Sequence, residues 1–234
     1  LDNFLDNKYP LDLEKECRQI TTNINSSNNF TQKSKTTLSD KKMMTKNVLD
    51  TCNFFMSADF LEFLTEITGV KELIPDPYLE GGGLHRTCRG GFLKMHTDFN
   101  WNKKLKLYRR INVLYYLNSN YSNEWKGELL LSKNPQNEKV CNMKSIQPIS
   151  NRLVIFNTND FTFHGHPEPH LFPLNFPRTS LAFYYYTSTP PSHKEKKRNK
   201  STNTKYVPSK NEKINLKGIS IKSRAGYFLR RWTN

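Results

Sequence analysis

Hydrophobic positions in the first third of the chain recur with a helical period. The clearest run is 58–68, where Phe60, Leu61, Phe63, Leu64 and Ile67 fall on one side of a helix. Ser57 stands where an N-cap belongs and Gly69 where a helix stops. The same spacing predicts helices over 11–20 and 40–56. Between them, residues 21–39 are rich in Thr, Asn, Ser and Lys with few large apolar side chains, and they read as a surface loop. From residue 78 the pattern changes to short strand-like runs at 92–98, 112–117, 128–131, 152–156 and 180–187, separated by turn residues such as Gly90-Gly91 and Gly127. Helices followed by several short strands predict an α+β domain whose β part is a sandwich or barrel. Neither a strand–GxGxxG–helix nor a GxxxxGK[ST] pattern occurs, so nucleotide-binding folds have no support.

Charge divides the chain further. Residues 193–234 hold 13 Lys/Arg against 2 Asp/Glu, which places +11 of the net +15 in the last stretch. Residues 192–234 are therefore expected to form a basic extension, either solvated or a patch for an anionic partner. Residues 1–77 are expected to be the helical N-terminal region of one domain and 78–191 its β core. Cys17, Cys52, Cys88 and Cys141 form no CxxC pair, which predicts reduced, packed thiols rather than zinc or redox motifs. No apolar run approaches membrane-span length, and Leu1-Asp2-Asn3-Phe4 lacks the basic-then-apolar pattern of a secretory signal. A cytoplasmic protein with no membrane partner is the expectation.

The chemistry starts at His96-Thr97-Asp98. Side chains at i and i+2 of a strand share a face, so this spacing sets an imidazole beside a carboxylate. One further His from a distant strand would complete a facial triad, which leaves metal positions open for a co-substrate and O2. An HxD pair alone is weak evidence in a chain with 6 His. Downstream stand His164-Gly165-His166-Pro167 and then Arg178, which opens the strand through Tyr186. An arginine there offers a planar fork suited to the far end of a dicarboxylate.

Taken together, the blocks from Gly90 to Asp98, from Arg110 to Asn118, Gly127-Glu128-Leu129, from Asn151 to Phe156, and from His164 to Arg178 resemble the Fe(II)/2-oxoglutarate-dependent dioxygenases of the prolyl 4-hydroxylase-like family, in that family's order over residues 78–190. Even the lead-in from Ile67 to Pro77 is similar to a microbial and viral subgroup. The resemblance implies a double-stranded β-helix, or jelly roll, with N-terminal helices packed on it. It also implies Fe(II) on His96, Asp98 and His164, with 2-oxoglutarate chelated at the metal and its 5-carboxylate paired with Arg178. Tyr116 matches a position whose phenol reaches the same carboxylate. The implied reaction consumes O2 and 2-oxoglutarate, releases succinate and CO2, and hydroxylates a C–H bond, with ascorbate as a reductant.

Two features depart from the family pattern. His85-Arg86 stands where many prolyl hydroxylases carry a Tyr, and the segment from His164 to Arg178 is longer than in many relatives. For the distal ligand, strand period does not choose between His164 and His166. Pro167 restricts His166 and removes a ladder donor, and the family motif reads His-Gly-x-x-Pro, so His164 is the expected ligand. The implied substrate is a peptide or protein carrying a prolyl or related residue. The alternatives are hydroxylation of a small molecule or sugar, and a non-catalytic jelly-roll binding protein. A nucleic-acid dealkylase ranks low, because its second Arg would fall at Tyr184.

Overall fold

The computed structural model describes residues 1–6, 8–20, 25–133, 135, 143–191 and 200–207. Helix α1 spans Tyr9–Gln19, α2 Lys46–Phe55 and α3 Ala58–Thr68. The third forms as its sequence predicts: Ser57 Oγ accepts from the Phe60 N–H at 3.3 Å, and Gly69 takes a left-handed φ of 70°. The expected 40–56 helix is two pieces, a 3-10 turn at Lys41–Met43 and then α2, because Thr45 is extended and caps a new start through the Val48 N–H.

The expected loop over 21–39 is different. Its described part holds strands β1 (Asn25–Ser27) and β2 (Gln32–Leu38), and β2 pairs antiparallel with β4 (Gly83–Thr97). Polar side chains hid this strand, since it is held by its backbone ladders to β1 and β4 and needs little apolar surface on the side chains.

The remaining strands are β3 (Ile74–Pro75), β5 (Trp101–Asn102), β6 (Leu107–Tyr116), β7 (Leu129–Ser132), β8 (Lys144–Ile146), β9 (Arg152–Asn157), β10 (Phe163–His166), β11 (Arg178–Thr187) and β12 (Lys205–Tyr206). Strand β4 is shared by two layers. Its first half lies between β2 and β11, and β6 and β9 continue that layer. Its second half lies between β12 and β10, followed by β7 and β8. The change of partners falls around the bend at Gly90, whose φ is 75°. The result is a curled antiparallel sheet of the double-stranded β-helix type with helices packed against it, as the resemblance implied.

Alternation sorts the side chains of the first layer. Leu181, Phe183 and Tyr185 of β11, with Ile111, Val113 and Tyr115 of β6, join the helices in the main core. Phe55 of α2 stacks on Phe183 with ring centroids 4.6 Å apart. The alternate residues, Arg178, Ser180 and Tyr184 with Asn112 and Leu114, face a cavity between the layers. Of the cysteines, Cys17 and Cys52 are buried as expected, Cys88 is exposed, and Cys141 lies outside the described residues. Among the described residues no helix is long and apolar enough to cross a membrane.

Candidate active site

His96 and Asp98 end β4 on its cavity side, and β10 places His164 directly opposite His96. Gly165 permits that approach: a Cβ there would lie 2.7 Å from the Leu93 carbonyl oxygen and 2.9 Å from that of Lys94. Asp98 Oδ1 is 3.8 Å from His96 Nε2, and Asp98 Oδ2 is 3.4 Å from His164 Nε2. One ligand atom from each of the three lies within 4.8 Å of the others, a group that could hold a metal ion.

Both rings are oriented from behind. His96 Nδ1 bonds the Lys94 carbonyl at 2.8 Å and His164 Nδ1 that of Thr162 at 3.4 Å. A carbonyl only accepts, so each Nδ1 carries the proton and each Nε2 keeps its lone pair for a metal. Burial, followed by the neighbouring His164, lowers His96 to about 3; burial likewise lowers His164, so both rings are neutral. Burial pushes Asp98 up, but Arg109, the two histidines and Asn112 outweigh it and hold the carboxylate below its usual range.

Arg109 Nη2 lies 3.0 Å from Asp98 Oδ2, and Asn112 Nδ2 donates to the same oxygen at 2.7 Å. Asn112 Oδ1 in turn accepts from Arg109 Nε and Nη2 at 3.0 and 2.8 Å. The guanidinium also covers the Tyr184 ring at 3.5 Å. Arg109 and Asn112 are three apart, an odd spacing that would normally send them to opposite faces. Pairing with β11 skips Arg110, between Tyr185 opposite Ile111 and Tyr186 opposite Arg109, and this bulge brings both onto the Asp98 side.

At another wall of the cavity Arg178 donates to the Gly127 carbonyl through Nε at 2.6 Å and to the Tyr116 hydroxyl through Nη2 at 2.9 Å. The phenol accepts from Arg178, so its own hydrogen is free for a carboxylate. Burial raises its pKa against the opposing effect of Arg178, which keeps that hydrogen in place. His166, one pair further along β10, lines the cavity opposite Leu93 and is not one of the three clustered ligands. His85 also lines it and donates from Nε2 to the Gly81 carbonyl at 2.9 Å, whereas Arg86 turns away to the carbonyls of Cys17 and Ile20.

The donor set of two neutral imidazoles and one carboxylate suits ferrous iron, and a fork of Arg178 with Tyr116 suits the far carboxylate of a dicarboxylic acid. Residues 82–186 match the model of the 2OG-Fe(II) oxygenase superfamily. The match is at the level of that superfamily and contains all three members of the metal cluster. Cluster and match together make this an enzyme with Fe(II)- and 2-oxoglutarate-dependent oxygenase chemistry.

Solved structures of similar fold include a Pseudomonas putida prolyl-4-hydroxylase, 16% identical with a TM-score of 0.56, covering 80% of this chain and 90% of that one. A Trichoplax adhaerens prolyl hydroxylase, in complex with a hypoxia inducible factor oxygen degradation domain peptide fragment, is 17% identical with a TM-score of 0.56, covering 80% and 81%. HygX from Streptomyces hygroscopicus, with nickel and 2-oxoglutarate bound, is 11% identical with a TM-score of 0.55, covering 80% and 82%. At these identities the likeness is one of fold. Among curated protein sequences no match is found.

Sequence reading did not single out Arg109, Asn112, Lys35 or Tyr206. A polar Asn and an Arg within an otherwise apolar strand were the available signal for the first two. Lys35 reaches the cavity from β2. Tyr206 stands on β12, opposite His96, and its ring centroid is 5.1 Å from that of His96. Part of the basic extension thus lines the site, and residues 192–199 and 208–234 lie outside the described residues.

Proposed function

We propose that the protein hydroxylates a peptidyl proline or related residue, with Fe(II) held by His96, Asp98 and His164 and 2-oxoglutarate held at its far end by Arg178 and Tyr116. The observation that carries this reading is that the His–Asp–His cluster and the Arg178–Tyr116 pair line or adjoin one cavity of about 220 Å³. When bound, ferrous iron with 2-oxoglutarate and O2 supplies the oxidative decarboxylation to succinate and CO2 and the hydroxylation of a C–H bond. The chain's own part is positional. Carbonyl-anchored imidazoles present Nε2, and Arg109 and Asn112 fix Asp98 through one oxygen and leave Oδ1 for the metal.

In this reading residues 1–77 and 78–191 form one catalytic unit, and the basic 192–234 extension meets an anionic partner. The protein works in the cytoplasm, where its thiols stay reduced, with ascorbate as reductant. The test is to incubate the Fe(II)-loaded protein with 2-oxoglutarate, O2 and proline-containing peptides, with and without ascorbate, and to measure succinate and a gain of one oxygen on the peptide. Succinate with peptide oxidation at proline supports the reading. Succinate with no oxidised proline in any peptide refutes the substrate and leaves the oxygenase.

A further inference from the structure

Three cations line the cavity against one carboxylate: Lys35, Arg109 and Arg178 against Asp98. Arg109 is committed to Asp98. Arg178 is held by Gly127 and Tyr116 and, on the reading above, takes the far carboxylate of 2-oxoglutarate. The Lys35 ammonium alone makes no hydrogen bond or ion pair among the described residues.

Its place is set by the sheet. Lys35 is directly opposite Thr87 on β4, and Thr87 is directly opposite Arg178 on β11, so the three stand in one row on the cavity face. The ladder is irregular just before it: pairing passes from Lys33 opposite Phe92 to Lys35 opposite Thr87, so that Ser34, with a φ of 52°, stands against the bend of β4 at 88–91. Lys35 also stands opposite Ser27 of β1, so its backbone is paired on both sides while its side chain reaches the cavity. Burial costs the ammonium and, even with Asp98 opposing, lowers its pKa to about 8, which leaves it mostly charged at neutral pH. An inward, unpaired, half-buried cation is costly unless a bound anion completes it.

We propose that Lys35 recognises a carboxylate on the substrate itself, so that the enzyme selects an anionic substrate whose charge lies close to the carbon that is hydroxylated. The inference rests on the proposed placement of 2-oxoglutarate at Arg178. With that co-substrate's two negative charges in place, Lys35 remains the cation without a partner. The cavity, about 220 Å³, is below the roughly 300–1,000 Å³ of ligand clefts in general, so little beyond the co-substrate and one residue-sized group fits. The family match begins at residue 82, and Lys35 belongs to a segment before it, where substrate-reading elements vary independently of the metal site. The carboxylate has two sources, the free α-carboxylate of a proline-like acid or the side chain of an acidic residue beside the target in a peptide.

The test uses full-length protein loaded with Mn(II) and 2-oxoglutarate, which binds without turning over, and titration calorimetry with two matched pairs. N-acetylproline against N-acetylprolinamide probes the α-carboxylate; N-acetyl-Ala-Pro-Glu-amide against N-acetyl-Ala-Pro-Gln-amide probes the acidic side chain. The expected result is that the anionic member of one pair binds roughly ten- to a hundredfold more tightly, the factor a charge-assisted hydrogen bond supplies. Lys35→Met erases that preference, Lys35→Arg retains most of it, and both keep the Kd for 2-oxoglutarate within about threefold of wild type. Equal affinities within both pairs, or no binding of either anion, overturn the proposal. So does weaker 2-oxoglutarate binding in Lys35→Met, which makes Lys35 a co-substrate residue instead. Failure of the wild-type protein to take up Mn(II) and 2-oxoglutarate is a separate result, seen before any substrate is added, and it removes the underlying reading together with this one.

Discussion

Replacing Arg109 by Met tests whether the Asp98 carboxylate is held for a metal by its surroundings. In the metal-free protein Asp98 is buried with Arg109 3.0 Å from Oδ2 as its cationic partner, and the two histidines are neutral. Coulomb's law at that distance, with an effective dielectric constant of about 20, gives an attraction of roughly 5 kcal/mol. Removing one member of a buried pair costs on the order of 3–5 kcal/mol because the other is left uncompensated. At about 2–4 °C per kcal/mol for a chain of this size, the metal-free Tm falls by roughly 6–20 °C. A bound divalent ion compensates the same carboxylate, so the Mn(II)-saturated variant loses less than half as much.

The acid side has a definite sign. In wild type the folded-state pKa of Asp98 is depressed, so its contribution is fully present above about pH 4, the unfolded value, and is lost as pH falls towards the lower folded value. In the variant burial dominates and that contribution reverses. The assay is differential scanning fluorimetry with and without Mn(II) between pH 3 and 8. A metal-free Tm within about 3 °C of wild type, or equal losses with and without metal, would refute the reasoning.

Arg178→Ala should raise the Kd for 2-oxoglutarate about a hundredfold, the loss of roughly 2–3 kcal/mol from a charge-assisted contact, measured by calorimetry with Mn(II) present; an unchanged Kd would move the far carboxylate elsewhere. Gly165→Ala inserts a methyl 2.7 Å from a backbone oxygen, so β10 must shift from β4 at a cost of about 1–3 kcal/mol, seen as a lower Tm and weaker Mn(II) binding. Retention of both would show that the strands separate freely. Tyr206→Ala removes the ring beside His96 and should lower Tm by an amount corresponding to about 1–3 kcal/mol. Unchanged stability together with unchanged succinate formation would place β12 outside the working site.

What was legible in the sequence follows from how each residue signals its place. Helix α3 announced itself because period, cap and stop coincide in Ser57, Phe60, Leu64 and Gly69. His96 and Asp98 were legible as a pair because i and i+2 share a strand face, and Arg178 because it opens a strand-like run downstream of His164 in the order of the resemblance. Strand β2 was not, since Gln32–Leu38 is held by backbone pairing and carries polar side chains whatever face they take. Arg109 was hidden because it owes its direction to a bulge, and an irregularity of one residue inverts the alternation from which a strand is read; Lys35 was hidden with the polar strand that carries it. Tyr206 lies in a charge-rich stretch whose composition suggests solvation, although two of its residues complete a ladder on β4.

The most direct test of the central claim is succinate formation on admitting O2 to protein loaded anaerobically with Fe(II) and 2-oxoglutarate, in wild type and in Asp98→Ala, His164→Ala and His166→Ala, with Fe(II) binding measured alongside. The account predicts turnover above a metal-free control in wild type, loss of both turnover and iron binding in Asp98→Ala and His164→Ala, and retained iron binding in His166→Ala. Iron binding and turnover that survive in Asp98→Ala, or that are lost in His166→Ala and kept in His164→Ala, would contradict the ligand set.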